Sequence, residues 1–264
     1  EALNKFSEMG ESVYGNGKLK EIVENITKVV ETANRLVTEE SDDLVDSVSA
    51  SRQFKNINGA LNEEEKLEMI DKAAVKFGEF LDALGCDWKN DPNSMDTPKR
   101  VAKAYVNDLW AGRYNAFPKI TTFPNYEYDG IIFEGNIPIV SMCSHHHQTI
   151  IGKAHIAYIP QINHEIIGLS KLNRIVEHYA RRGAIQENLT VRIHDAINKI
   201  VENNKGVAVM IEATHNCVQC RGVGHQGTSM KTSKLTGEFI NSNKTRNESV
   251  SYTHLTLPTM AIVL

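Results

Sequence analysis

Two clusters of cysteine and histidine are the parts of this 264-residue sequence with the clearest chemical potential. The first is Cys143-Ser144-His145-His146-His147, and the second is His215-Asn216-Cys217-Val218-Gln219-Cys220, about seventy residues later. A thiolate and an imidazole three residues apart can reach one ion, and a second thiolate from a neighbouring segment would complete three ligands. Three such ligands plus water make a catalytic zinc site, whereas four make a closed structural one. The spacing predicts a metal site and leaves both kinds open.

A second group of residues is basic and suits a polyphosphate. Lys171 and Arg174 lie one turn apart on a predicted helix and therefore share a face. Gly168 and Ser170 stand at the start of that helix, where free backbone amides favour an anion. Arg221 follows the second cysteine cluster. Together these groups could hold a polyphosphate, and each taken alone also fits an ordinary solvated helix face.

The pair Gln186-Glu187 opens the next predicted helix. A carboxylate at this position is favoured by the helix dipole and can simply cap the helix. It could instead accept two N–H bonds from the edge of a guanine. The local sequence is compatible with both interpretations.

The elements that position these residues follow from the hydrophobic pattern. Helical periodicity predicts helices over 19–37, 62–84, 98–111, 168–182 and 186–203. Segments rich in Ile, Val and aromatic residues predict strands over 131–143, 149–160, 205–214 and 230–240. The order strand, strand, helix, helix, strand, strand predicts an α+β fold in which an antiparallel sheet carries helices on one face. Each cysteine cluster then follows the end of a strand.

The same pattern divides the chain into four parts. Residues 1–60 read as an N-terminal helical extension and linker, 61–125 as a helical part, and 126–248 as the domain that holds the sheet. Residues 249–264 continue none of the preceding patterns and are interpreted as an artefactual or disordered tail.

Composition excludes several classes of protein. The net charge of −4 and the absence of a dense basic stretch argue against nucleic-acid binding. No apolar run approaches the roughly 20 residues that span a bilayer, so no membrane association is expected. The four cysteines are too few for a disulfide scaffold, which favours metal binding in a reducing, cytoplasmic setting.

An ordered series of segments closely resembles the GTP cyclohydrolase I family. The segments are DTPKRVAKAYVNDLWAGRY at 96–114, NAFPKIT at 115–121, SMCSHHH at 141–147, GKAHIAYIP at 152–160, IIGLSKLNRIVEHYARR at 166–182, IQENLT at 185–190, EATHNCVQCRG at 212–222 and KTR at 244–246. The resemblance covers about 62–248. It implies a tunnelling fold, with an antiparallel four-stranded sheet and two helices on one face, that forms a barrel on oligomerisation. The usual family assembly has ten subunits, with active sites between them.

The resemblance also implies site residues and chemistry. It implies a Zn²⁺ ion held by Cys143, His146 and Cys217, which activates the water that attacks guanine C8 of the substrate GTP. It implies that formate is released and dihydroneopterin triphosphate is formed. The remaining implied residues are catalytic His215, His145 and Ser170, the triphosphate contacts Lys171, Arg174 and Arg221, and the guanine contacts Gln186 and Glu187.

Three positions depart from the family pattern. Ser144 stands where the family usually has Glu, and His147 stands where it usually has an apolar residue. They motivate one alternative, a related tunnelling-fold enzyme that acts on another purine or pterin. Cys220 stands where cysteine is unusual, which motivates a second alternative, a non-enzymatic zinc module with four protein ligands. The C-terminal helix is further expected to be truncated after Glu248.

Overall fold

The computed structural model describes residues 60–254, which form an α+β domain with antiparallel sheets, as the sequence predicts. The predicted helix over 19–37 and nearly all of the predicted linker lie outside the described residues, as does the part of the predicted tail after residue 254. Among the helices of the described range, none combines the length and the apolar character needed to cross a membrane.

The helices of the described residues fall into an N-terminal group, a central pair and a C-terminal group. They are α1 (Glu63–Ala83), α2 (Thr97–Ala104), α3 (Ala111–Tyr114), α4 (Leu169–Ala180), α5 (Gln186–Ile200), α6 (Asn216–Gln219), α7 (Glu238–Asn241) and α8 (Asn243–His254). Helix α1 begins at a capping box: the Asn62 side chain accepts from the Glu65 N–H over 2.9 Å, and the Glu65 carboxylate accepts from the Asn62 N–H over 2.8 Å.

Within residues 60–254, six strands form two sheets. The strands are β1 (Thr122–Pro124), β2 (Ile132–Met142), β3 (Thr149–Ile159), β4 (Glu165–Ile167), β5 (Gly206–His215) and β6 (Met230–Leu235). The larger sheet is antiparallel throughout and has the order β2-β3-β5-β6, while β1 pairs with β4 in a separate two-stranded ladder. Strand β3 therefore lies between the strands that carry the two cysteine clusters.

The strand register brings the two clusters to the same end of the sheet. Met142, the last residue of β2, pairs with Thr149 at the start of β3, and the next residue of β3, Ile150, pairs with His215 at the end of β5. Because consecutive strands of an antiparallel sheet lie about 4.8 Å apart, the residues that follow β2 and end β5 are close in space.

Helices α4 and α5 pack on the sheet through the faces that the sequence predicts. Leu172, Val176 and Tyr179 of α4 are buried, as are Leu189 and Ile193 of α5. They join the sheet side chains in one apolar core, and burial of this kind is the main stabilising contribution. Leu169, the first residue of α4, is 65% exposed and stays outside this core.

Two predicted elements differ from the observed ones. The single helix predicted over 98–111 is divided by a π-helical turn at Tyr105–Leu109, where the Trp110 N–H donates to the Tyr105 carbonyl over 2.9 Å. The strand predicted over 230–240 ends at Leu235. Gly237 has φ 58° and lies so close to Lys205 that a Cβ atom there would stand 2.1 Å from its carbonyl oxygen, so the chain turns away from the sheet into α7.

The C-terminal helix is longer than expected. Helix α8 continues to His254, six residues beyond Glu248. Ser249 is buried, and the ring of Tyr252 lies 5.5 Å from the ring of Phe133 at the start of β2. These contacts connect the last turns of α8 to the sheet.

Candidate metal and active site

Three side chains with metal-binding atoms meet at the common end of β2 and β5. The ligand atoms of Cys143, His215 and Cys217 all lie within 4.8 Å of one another. Cys143 is the residue after β2 and is 3% exposed, while His215 ends β5 and Cys217 lies in the short helix α6. Asn216 fixes the start of α6, because its side-chain amide donates to the Thr149 hydroxyl over 2.5 Å.

The three consecutive histidines lie outside this group. A tight turn follows Cys143: its N–H donates to the Gln148 carbonyl over 2.8 Å, and its carbonyl accepts from the His147 N–H over 2.9 Å. His145 and His146 are exposed on this turn, with ring centroids 6.3 Å apart. His146, the ligand expected from the resemblance, lies outside the group of three, and His215 is the histidine beside the thiols.

His147 is turned away from the thiols. Its backbone has φ 52°, and its ring stands edge-on to Trp110 at a centroid distance of 5.2 Å. It lines an apolar cavity of about 450 Å³ between α1 and α2. His147 therefore packs against aromatic and apolar side chains and is not part of the group of three.

The donor set fits a soft or borderline divalent metal. Two sulfur atoms and one imidazole suit zinc, whereas Mg²⁺ and Ca²⁺ prefer oxygen ligands. Cys220 is exposed and is not part of the group, so the described residues supply three ligands here. Three ligands match the number that leaves a coordination position open for chemistry.

Burial in the site disfavours the ionised forms of Cys217 and His215. Burial raises the pKa of the Cys217 thiol, and the adjacent Cys143 thiol raises it further, while the Arg221 charge opposes the rise. Burial also lowers the pKa of His215, and the Glu187 carboxylate opposes that shift. Arg221 and Glu187 are thus charged groups that favour the ionised forms of Cys217 and His215.

Gln186 and Glu187 occupy different environments although they are adjacent. Glu187 is exposed in the first turn of α5, and within the described range its carboxylate accepts no hydrogen bond. Gln186 is 0% exposed, and its Oε1 atom lies 2.7 Å from Nε2 of His215. Nothing in the local sequence signals this burial, because glutamine is usually a surface residue.

The remaining predicted contacts lie on α4. Ser170 and Arg174 are exposed and Lys171 is half-buried. Within residues 60–254, no side-chain hydrogen bond or ion pair joins them to the group of three. Their helix begins after Gly168, whose extended backbone forms the N-cap.

Comparison with known proteins identifies a matching protein family and several similar proteins. The family model described as GTP cyclohydrolase I matches residues 73–254. A protein named GTP cyclohydrolase 1 from Flavobacterium johnsoniae is 38% identical over 224 residues, which cover 81% of this chain and 97% of the relative. A protein of the same name from Aeromonas salmonicida is 40% identical over 194 residues, covering 73% and 86%. Another from Salmonella arizonae is 42% identical over 172 residues, covering 64% and 76%.

Proposed function

The chain belongs to the GTP cyclohydrolase I family, and from this membership we propose that it opens the imidazole ring of GTP by hydrolysis. The products are formate and 7,8-dihydroneopterin triphosphate. The observation that carries the proposal is the meeting of Cys143, His215 and Cys217 at one end of the sheet. Such a group can bind a metal and transfer protons in the same place.

We assign the metal as Zn²⁺ and its protein ligands as Cys143, His146 and Cys217. Two thiolates and an imidazole are donors that zinc prefers. His146 follows Cys143 by three residues, but its side chain is exposed and lies outside the group of three, so this assignment requires the imidazole to turn toward the thiols when the ion binds. When bound, the ion would supply Lewis-acid activation of water near neutral pH.

His215 is assigned to proton transfer at the opening ring. Its imidazole is half-buried beside both thiols, and a single hydrogen bond from Nε2 to Gln186 fixes the ring. A positioned imidazole of this kind can take and return a proton during bond cleavage. His145 is assigned as a second histidine near the substrate, and Ser170 as the hydroxyl that assists opening of the ribose.

Substrate recognition is assigned to exposed charged groups. Glu187 has an uncommitted carboxylate in the described structure and can accept two N–H bonds from the guanine edge. Lys171, Arg174 and Arg221 are the cationic contacts of the triphosphate. The Glu187 charge acts on His215 and the Arg221 charge acts on Cys217, which supports their assignment to one active site.

The proposal also includes the fold, the location and the subunit assembly of the protein. We assign the tunnelling fold, a cytoplasmic location and a homo-oligomer, with ten subunits by resemblance. In the described sheet, β2 and β6 each pair on one side only, which supports growth of the sheet between subunits. We assign Lys171 and Arg174 to an active site between subunits, as the resemblance implies.

The test is incubation of the zinc-loaded full chain with GTP under anaerobic conditions. Formate and the neopterin product should appear in equal amounts, and a chelator should stop both. The His215→Ala variant, loaded with zinc, serves as the inactive control. Zinc-loaded protein that leaves GTP intact would reject the proposal.

The same assay separates the alternatives. A panel of GTP, dGTP and reduced pterins tests for another purine or pterin substrate. A preference for dGTP or for a reduced pterin over GTP would favour a related enzyme. Cobalt substitution tests for the structural module, because four protein ligands without solvent would exclude turnover. The exposed position of Cys220, outside the group of three, speaks against such a closed site.

A further inference from the structure

Gln186 connects the reactive end of β5 to the neighbouring strand β6. It is the first residue of α5 and is fully buried. Its Oε1 atom faces Nε2 of His215 at 2.7 Å. On the other side its Nε2 atom lies 3.1 Å from the Ile211 carbonyl and 3.0 Å from the Met230 carbonyl. One amide therefore bridges a helix, two strands and the histidine.

The orientation of this amide is determined by its neighbours. Carbonyl oxygens only accept hydrogen bonds, so the amide group that faces Ile211 and Met230 must be the NH₂ group. A flipped amide would set Oε1 against two carbonyl oxygens in a buried site, which is unfavourable. Oε1 consequently faces His215, and because this oxygen only accepts, Nε2 of His215 must carry a proton.

The hydroxyl groups of two threonines also contact Gln186, one at its backbone carbonyl and one at its side-chain amide. The Thr190 hydroxyl donates to the Gln186 carbonyl over 2.9 Å, and the Thr232 hydroxyl lies 2.6 Å from the Thr190 hydroxyl. Since the Thr190 proton is used, Thr232 donates to Thr190 and its oxygen can accept from the Gln186 amide at 3.1 Å. The two protons of the Gln186 NH₂ group thus face three acceptors, the carbonyls of Ile211 and Met230 and the Thr232 hydroxyl, which keeps the amide from rotating.

We propose that Gln186 is a positioning residue of the reaction, which holds His215 as the tautomer protonated on Nε2 and leaves Nδ1 as the nitrogen with the free lone pair. This inference rests on the proposed function, because it assumes that His215 takes part in the chemistry. It differs from the role that the family resemblance implies, a contact of this side chain with guanine. In the described structure this amide is 0% exposed, and its oxygen and nitrogen both contact protein groups, which favours the positioning role.

The two roles predict different kinetics. Gln186→Met keeps the approximate size of the side chain and removes its hydrogen bonds. If Gln186 positions His215, kcat should fall by about 10–100-fold, the usual effect of losing a residue that orients a reactive imidazole, and KM for GTP should stay unchanged. If Gln186 contacts guanine, KM should rise. The matched comparison is Glu187→Ala, the adjacent residue assigned to guanine, for which KM should rise.

A double-mutant cycle with His215→Ala tests whether Gln186 acts only through His215. A residue that acts only through His215 has nothing left to position once the imidazole is removed. Adding Gln186→Met to His215→Ala should therefore change neither the residual rate nor the dissociation constant for GTP, measured by equilibrium dialysis. A further loss of GTP affinity in the double variant would overturn the positioning role.

A measurement on the unaltered protein covers the case in which Gln186→Met does not fold. Nitrogen NMR of histidine-labelled zinc-loaded protein, with the signal assigned by its absence in His215→Ala, reports which ring nitrogen carries the proton. The proposal requires a proton on Nε2, and a bare Nε2 would overturn it. Absence of GTP turnover in the unaltered protein would instead reject the proposed function, so the two failures are distinct.

Discussion

Gly112 and His178 touch through their backbones: a Cβ atom on Gly112 would stand 2.0 Å from the carbonyl oxygen of His178. The Gly112 N–H also donates to the Arg181 carbonyl over 2.9 Å. These contacts hold the short helix α3 against the C-terminal end of α4. The N-terminal helical part of the described chain is thereby attached to the half that carries the site.

Gly112→Ala should weaken this attachment. The added methyl group would meet backbone atoms, which cannot rotate away, so we expect a loss of about 1–3 kcal/mol in the free energy of unfolding. Denaturant unfolding of the two proteins measures it. Gly130→Ala is the matched control, because its methyl group would meet only the ring of Tyr128, which is exposed and can move. Equal losses in both variants would contradict the interpretation.

His178 should make the fold sensitive to acid. Burial, together with the Arg182 guanidinium 3.1 Å from its Nε2 atom, lowers the pKa of His178 from 6.5 to about 3. Among the described residues, the aromatic rings in contact with His178 are those of Phe117 and Tyr179. Between those two pKa values the unfolded chain binds the proton and the folded chain does not. Stability is therefore complete above pH 6.5 and falls as the pH drops toward 3, by up to about 1.4 kcal/mol per pH unit.

The matching experiment compares His178→Gln with the unaltered chain. Urea unfolding from pH 7 to pH 4, with a chelator present throughout, should show a shallower decline for His178→Gln. His225→Gln, which removes an exposed histidine, should decline like the unaltered chain. Parallel curves for His178→Gln and the unaltered chain would exclude this residue as the source.

Cys217→Ser should abolish metal binding, because a thiolate ligand is replaced by a hydroxyl that zinc binds poorly. After dialysis against a weak chelator, zinc content should fall from one ion per chain to nearly none. Cys220→Ser, three residues away and outside the group of three, should retain the metal and the activity. Loss of zinc in Cys220→Ser would indicate that the fourth cysteine is a ligand.

His146→Ala and His215→Ala should separate metal binding from catalysis. With His146 as the third ligand, its removal should empty the site, whereas His215→Ala should keep zinc and lose turnover of GTP. Zinc analysis and the formate assay on both variants decide the assignment. The reverse pattern would make His215 the ligand, as its position beside the thiols allows.

Glu187 should determine the preference for guanine. A carboxylate that accepts two N–H bonds from guanine loses one of them with ITP, which lacks the 2-amino group, so the unaltered chain should prefer GTP. Glu187→Ala should lose this preference, because neither substrate then has the acceptor. Arg221→Ala should reduce kcat/KM for both substrates alike, since the triphosphate is common to them. An unchanged preference in Glu187→Ala would assign guanine recognition elsewhere.

The sequence predicts the elements that have strong periodicity and misses those that depend on tertiary contacts. The large-sheet strands that precede Cys143 and end at His215 were predicted within a few residues, and so was the proximity of the two cysteine clusters. The ladder between β1 and β4 is only three residue pairs long, too short for a periodic signal. The π-helical turn before Trp110 likewise has no local signature.

Side-chain direction was the less predictable part of the site. The sequence places His145, His146 and His147 in one loop but cannot show that the turn after Cys143 sends two outward and one toward Trp110. Gln186 was predicted at the start of a helix, yet its burial depends on carbonyl groups from β5 and β6 that are distant in sequence. Such contacts arise only when the strands and the helix are assembled.

Strand β6 links its outer edge to the imidazole of His215 through Gln186. Its Met230 carbonyl and Thr232 hydroxyl support the Gln186 amide, while within the described residues its outer edge has no paired strand. A subunit that docks along this edge would stiffen the strand and, through it, the imidazole. Dilution that separates subunits would then slow turnover by loosening His215, in addition to any loss of shared binding residues.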